Sequence, residues 1–203
     1  MIYLDYSANT PADPAVLETF CRAEQAWIGN PNANHCAGQA ARAEMARVTD
    51  AIAAMLGVRP GEIIYTSGAS ESNNLAVKGI AQAARHRGRH IISTALEHAS
   101  VGGALTALQQ QGWEIDLVRV GMDGRVDLEQ LAELLRDDTV LVAVSAVDSE
   151  LGTVQPVAEI ARLLAHRPGC CLHVDATQAV GKIPWSLCGA DTVSIAPHTG
   201  GSA

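Results

Sequence analysis

Two kinds of apolar pattern alternate along the chain. Short, almost uniformly apolar runs predict strands at Glu62–Thr66, His90–Thr94, Glu114–Val120, Thr139–Val147, Cys171–Asp175 and Asp191–Ala196. Between them, apolar residues recur every three or four positions. These stretches predict helices over 14–27, 38–56, Ser70–Arg85, Ser100–Gln111, Leu128–Arg136 and Val157–Ala165. Pro14 opens the first helix and Gly57 stops the second. Strands without polar alternation are covered on both faces. The pattern therefore predicts an α/β fold of three layers, α/β/α, around a mostly parallel sheet. Right-handed crossovers place the functional loops of such a sheet at the C-terminal strand ends.

Composition narrows the class. The chain has 203 residues, room for one domain, and 48% of them are apolar, enough for a packed core. Only 3% are aromatic, so that core is built from aliphatic and small side chains. A net charge of −8 argues against nucleic acid or an anionic membrane as partner. No apolar run approaches the ~20 residues of a membrane span. The start, Met-Ile-Tyr-Leu-Asp, lacks the basic and apolar regions of a signal peptide. The five cysteines, Cys21, Cys36, Cys170, Cys171 and Cys188, show no disulfide-framework spacing, and a reduced, cytoplasmic chain is expected. Among the basic residues, 12 are arginines and two are lysines, Lys78 and Lys182.

Candidate chemistry clusters at the predicted strand ends. Ile63-Ile-Tyr-Thr-Ser-Gly-Ala-Ser-Glu71 runs from strand through a small-residue turn into a helix. Gly68 and Ala69 allow close backbone approach, and Ser70 sits where free N–H groups favour an anion. A phosphate cup and a plain N-cap both satisfy this pattern. His98 follows the next strand, where a lone histidine reads as a surface or cap residue. Asp175 ends a buried strand, where a carboxylate needs either a cation or a helix to cap. Ser145-Ala-Val-Asp-Ser-Glu-Leu-Gly152 ends another strand as a turn or a ligand rim. Cys170-Cys171-Leu-His173 has metal-ligand residue types, but on a buried strand these are core positions, and no metal site is expected. Walker A, Gly-x-Gly-x-x-Gly and Gly-x-Ser-x-Gly patterns are absent, which disfavours a nucleotide-binding α/β domain.

Together the segments resemble the cysteine desulfurases of the class V aminotransferase family, fold-type I enzymes of pyridoxal 5′-phosphate. The resemblance runs through Tyr3-Leu-Asp-Tyr-Ser-Ala-Asn-Thr-Pro11, Gly29-Asn-Pro31 with His35 and Gly38, and Thr66-Ser-Gly-Ala-Ser-Glu-Ser-Asn-Asn-Leu75. It continues in Glu97-His98, Asp123-Gly-Arg-Val-Asp127, Glu150-Leu-Gly-Thr-Val-Gln-Pro156 and His173-Val-Asp-Ala-Thr-Gln-Ala-Val-Gly-Lys182. It implies an aspartate aminotransferase-like large domain over 13–199, incomplete at its C-terminal end. Residues 1–12 would be an arm that joins a small domain, and 200–203 a linker-like tail. Ala69 and Ser70 would hold the cofactor phosphate, with His198 nearby. His98 would stack on the pyridine ring and move protons. Asp175 would pair with the pyridinium nitrogen, and Gln178 would bond the ring's 3′ oxygen. The implied reaction takes L-cysteine to L-alanine and passes sulfur as a persulfide to a sulfur-acceptor protein of iron–sulfur or thio-cofactor assembly. The implied assembly is a homodimer.

The sequence also departs from the family pattern. Asp148-Ser149-Glu150 stands where many relatives have Asn-Asn-Glu, so Ser149 would donate a hydroxyl in place of an amide. Thr199 occupies the position of the lysine that forms the Schiff base with the cofactor, and no cysteine matches the family's sulfur-accepting motif. These 203 residues alone are therefore expected to be inactive. Two alternatives share the same residues: a non-catalytic cofactor-binding or scaffold fragment, and another class V aminotransferase or a selenocysteine lyase. In the family the strand entering the phosphate turn pairs with one beyond Thr199. Ile63–Thr66 is accordingly expected as an unpaired edge.

Overall fold

A computed structural model describes residues 2–184, 186–187 and 189–197. Cys188, His198, Thr199 and the 200–203 tail lie outside the described residues. The chain divides into two compact units, one of residues 11–65 and one of residues 2–10 with 66–197.

The first unit is two helices and a turn. Helix α1 spans Pro14–Ala26, and the Asp13 carboxylate caps it by accepting from the Ala15 amide at 2.7 Å. Helix α2 spans Cys36–Leu56 and is capped by His35, whose Nδ1 accepts from the Gly38 amide at 3.2 Å. Gly57 ends it with φ at 69°, in the left-handed region that favours glycine. A Cβ on Gly29 would lie 2.3 Å from the Ala37 backbone, and one on Gly38 2.5 Å from the Ala33 carbonyl oxygen. The glycines of this motif are thus required by close backbone approach.

The second unit carries the sheet. In chain order it contains α3 (Ala69–Ala84), β1 (His90–Thr94), α4 (Ala99–Gln109), β2 (Glu114–Val118) and α5 (Leu128–Leu134). It continues with β3 (Thr139–Ser145), α6 (Val157–Leu164), β4 (Cys171–Asp175) and β5 (Thr192–Ser194). The strand order is β2-β1-β3-β4-β5, and every ladder is parallel. Alternation along the strands sorts the two faces. Ile91, Leu141 and Ala143 pack under α3 and α4, against Val77, Ala81, Val101, Leu105 and Leu108. Ile92, Val142, Val144, Leu172 and Val174 pack against α5 and α6 through Leu131, Val157, Ile160 and Leu164. The helical spacing of those residues is what lets each helix bury one stripe. The expected α/β/α layering is therefore present. The chain winds from β1 out to β2 and returns to β3 on the other side of β1. That reversal makes a topological switch point between the C-terminal ends of β1 and β3.

Beyond shifts of one or two residues at helix ends, several elements differ from the sequence expectation. Pro60–Glu62 forms a single 3-10 turn, and 63–66 is not a strand. Ile64 is 72% and Tyr65 57% exposed, and no neighbouring strand satisfies this backbone among the described residues. β-branched residues mark a capacity for sheet, which is realised only beside a partner. β2 stops at Val118, because Val120 turns away into an antiparallel bridge with Val126. β3 stops at Ser145, because Val147 bridges Val154 around the 148–153 turn. Helix α5 ends two residues early, where Leu135 adopts extended backbone, and β5 is only three residues long.

Candidate functional site

Alternation along β4 turns Leu172 and Val174 toward α6. It turns His173 and Asp175 toward α3. There they meet Asn73, which has no solvent exposure. Asn73 Nδ2 donates to Asp175 Oδ2 at 2.7 Å and to Ser100 Oγ at 2.9 Å. Its Oδ1 lies 3.0 Å from His173 Nε2. A carboxylate only accepts, so the amide orientation is fixed and His173 Nε2 must carry a proton. His173 Nδ1 then accepts from the Thr192 hydroxyl at 2.9 Å. Burial pushes His173 down to about 4, although the charge of Asp175 opposes the shift, so the ring is neutral at pH 7. Both ring nitrogens are engaged by Asn73 and Thr192. Among the described residues no cluster of histidine, cysteine and carboxylate side chains could hold a metal ion.

The network extends to His98. The Ser100 hydroxyl, which accepts from Asn73, donates to His98 Nδ1 at 2.8 Å, and the Ser100 amide donates to the same nitrogen at 3.2 Å. His98 is thus the N-cap of α4, as its cap reading expects, and with Nδ1 accepting, Nε2 is the ring nitrogen left to donate. Asp175 Oδ1 accepts from the Thr177 amide at 3.0 Å. Among the described residues no cationic side chain pairs with this buried carboxylate.

Helix α3 begins at Ala69 after Gly68, and no side chain caps its first turn. Glu71 reaches back to the Ser67 amide at 2.6 Å, and Asn74 Nδ2 ties the Ser70 carbonyl (2.9 Å) to the Ser100 carbonyl (3.3 Å). The start of α3, the start of α4 and the end of β4 are therefore linked by Asn73 and Asn74. Ala69, Ser70, His98 and Asp175 belong to this region. Gln178 is engaged elsewhere: its Nε2 donates to the Ser7 carbonyl at 2.9 Å, and its Oε1 accepts from Lys182 Nζ. Ser149 is exposed on the 148–153 turn, which Asp148 holds by accepting from the Glu150 amide at 3.0 Å. His198 lies outside the described residues.

Glu97 also belongs to this region; it stands in the Glu97-His98 motif of the resemblance, which gave it no role. Its carboxylate accepts from Thr94 Oγ1 (2.8 Å) and the Ser145 amide (3.1 Å), and pairs with Ser145 Oγ (2.7 Å). Burial pushes it up to about 7, with Asp175 adding to the rise, while the Ser145 and Thr94 hydrogen bonds pull the other way. Asn73 was hidden in the same way, inside a run of polar residues that reads as helix surface. The available signals were its helical offset of four from Val77, a core position, and the placement of Glu97 directly before a strand-end histidine.

Comparison with known proteins agrees with the fold. The class-V aminotransferase family matches residues 2–198, and the chain belongs to that family. Within it, the chain is 40% identical over 200 residues to the human cysteine desulfurase, covering 97% of this chain and 44% of that protein. It is also 40% identical over 202 residues to the cysteine desulfurase IscS of Proteus mirabilis, covering 97% and 50%. A solved NifS-like protein superposes with a TM-score of 0.93 at 37% identity, over 98% of this chain and 55% of that one. A solved complex of SspA with cysteine superposes with a TM-score of 0.90 at 32% identity, over 97% and 57%. The chain thus spans about half the length of the relatives it matches.

Proposed function

We propose that this chain is the cofactor-holding part of a pyridoxal-phosphate-dependent cysteine desulfurase. The observation that carries the reading is Asp175: a buried carboxylate at a strand C-terminus, bonded by an amide side chain and a backbone N–H, with no cationic partner among the described residues. A protonated ring nitrogen satisfies such a group. The uncapped first turn of α3 suits the phosphate, which Ala69 and Ser70 would hold, with His198 beside it. His98 would lie against the ring and offer Nε2–H to move a proton there. Ser149 would donate its hydroxyl from the 148–153 turn. Gln178 would contact the ring oxygen by exchanging one of its present partners, Ser7 or Lys182. The bound cofactor supplies an electron sink for the bonds around the substrate's α-carbon.

L-cysteine is the proposed substrate, converted to L-alanine with its sulfur passed as a persulfide to an acceptor protein. The similarity to SspA solved with cysteine and to the named cysteine desulfurases supports this choice. Because the resemblance puts Thr199 at the position of the family's lysine, we propose that these 203 residues bind the cofactor without a covalent bond to it and do not turn over substrate unaided. An absorbance titration of the chain with pyridoxal phosphate tests this. A saturating, shifted band that borohydride does not fix to protein is expected. No band contradicts cofactor holding, and fixation at Lys78 or Lys182 contradicts the non-covalent mode.

A further inference from the structure

We propose that Glu97 is the positioning residue that aims His98, by bridging the gap that opens between β1 and β3 at the switch point. This rests on the proposed reading of His98 as the cofactor-facing residue. The two strands pair at His90–Thr139, Ile91–Leu141 and Ile92–Val142, and the ladder then ends. On the other side, β3 and β4 stay paired to Ser145–Asp175. The backbone groups that β3 turns toward β1 beyond Val142 therefore lose their ladder partners. Side chains replace them. The Ser93 hydroxyl donates to the Ala143 carbonyl at 2.8 Å, and the Ser145 amide donates to Glu97 Oε1 at 3.1 Å. The neighbouring Ala146 amide instead points to β4, donating to the Asp175 carbonyl at 2.8 Å.

The anchor fixes the next residue. Thr94 Oγ1 accepts from the Leu96 amide at 3.0 Å and donates to Glu97 Oε1 at 2.8 Å, which curls 94–97 into a closed turn. Glu97 points inward to β3, and His98 follows at the start of α4 with Nδ1 held by Ser100. The position of His98 is thus set from both sides: by Ser100 through the ring and by Glu97 through the backbone.

The anchor accepts either protonation state. Oε1 already takes two donors, from Thr94 and the Ser145 amide. Among the described residues, the partner of Oε2 is the Ser145 hydroxyl, which can donate to a carboxylate or accept from a carboxylic acid. The charged group facing it is Asp175 at the end of β4, and the remaining contacts from β1 and β3 are hydroxyls and one amide. With Glu97 raised to about 7, the anchor changes charge near neutrality without losing a hydrogen bond.

The test reads the His98 ring by NMR in the cofactor-free chain, with its signals assigned through a His98 variant. The result therefore does not depend on whether the cofactor binds. In the wild type, the His98 ring signals are expected to show an added inflection near pH 7. Glu97→Gln, which mimics the protonated anchor, should abolish that inflection. Glu97→Ala should shift them at every pH. Ser145→Ala, which keeps the amide and removes only the Oε2 partner, should move the inflection without abolishing it. In parallel, Glu97→Ala should weaken pyridoxal phosphate binding about tenfold and Glu97→Gln much less. His98 signals in folded Glu97→Ala and Glu97→Gln that match the wild type across the pH range overturn the proposal. Altered rings in a chain that binds no cofactor uphold the anchor and overturn only the functional reading.

Discussion

The two ends of the parallel sheet each bury a histidine beside a carboxylate, and they use the pair in opposite ways. At the N-terminal ends, His90 has no solvent exposure and is flanked by Thr139 Oγ1 at 2.7 Å and Asp116 Oδ2 at 3.0 Å. Thr139 accepts in turn from the Arg136 amide at 2.8 Å. Every member has its partner within the protein, and Asp116 reaches solvent, so this network is closed. At the C-terminal ends the order is reversed. His173 is satisfied by neutral groups, Asp175 is buried beside no cation among the described residues, and Glu97 is lifted toward neutrality. A closed network staples the fold, whereas an open one leaves electrostatic work for a ligand. That contrast supports the proposed placing of the site at the C-terminal strand ends without use of any motif.

The largest test of the contrast is Asn73→Leu. It leaves Asp175, Ser100 and His173 without the amide at a position with no solvent exposure, and unfolding free energy should fall by about 3–5 kcal/mol in urea titration. A loss no larger than that of a surface substitution would show that the hub is not tightly held.

Stability against pH separates the two titrating groups of the open end. Glu97 is raised from 4.5 to about 7, so the folded state holds its proton longer, and its contribution is lost as pH rises between those values. His173 is lowered from 6.5 to about 4, so the unfolded state takes the proton first, and stability is lost as pH falls across that window. Each is worth about 3 kcal/mol across its window, with opposite sign, and the two largely offset one another between pH 4.5 and 6.5. Glu97→Gln should therefore unmask stability that rises with pH, and His173→Asn stability that falls with it. Unchanged slopes in both variants would contradict the assigned shifts.

The smallest expected effect belongs to the closed end. His90→Leu should lower stability by about 1–3 kcal/mol, because it strips partners from Thr139 and Asp116. Pyridoxal phosphate affinity should stay unchanged. A change in that affinity would erase the distinction between the ends.

Much of this arrangement was legible before the structure. β1, β3 and β4 announce themselves as apolar runs because both of their faces are covered, and the helices as repeating apolar stripes. Asp175 stood out because a carboxylate ending such a run demands a partner. The strand expected at 62–66 failed because side-chain preference encodes pleating, while the ladder partner is a tertiary fact. Asn73 and Glu97 stood inside motifs of the resemblance, but their inward roles were not legible, for a related reason. Polar residues in a helix or turn normally face water, and only the packing of α3 on β4, and the divergence of β1 from β3, turns these two inward. Gln178 was legible as a motif residue, but its engagement with Ser7 depends on residues 2–10 lying beside it, which local pattern cannot convey.

The most direct measurement of the central claim is the state of the cofactor's ring nitrogen. Pyridoxal phosphate labelled with 15N in the ring should, when bound, keep its nitrogen proton to a pH at which the free cofactor has lost it. Asp175→Asn, which preserves shape and removes the charge, should abolish that retention. A bound cofactor whose nitrogen titrates identically in the wild type and in Asp175→Asn would contradict the account.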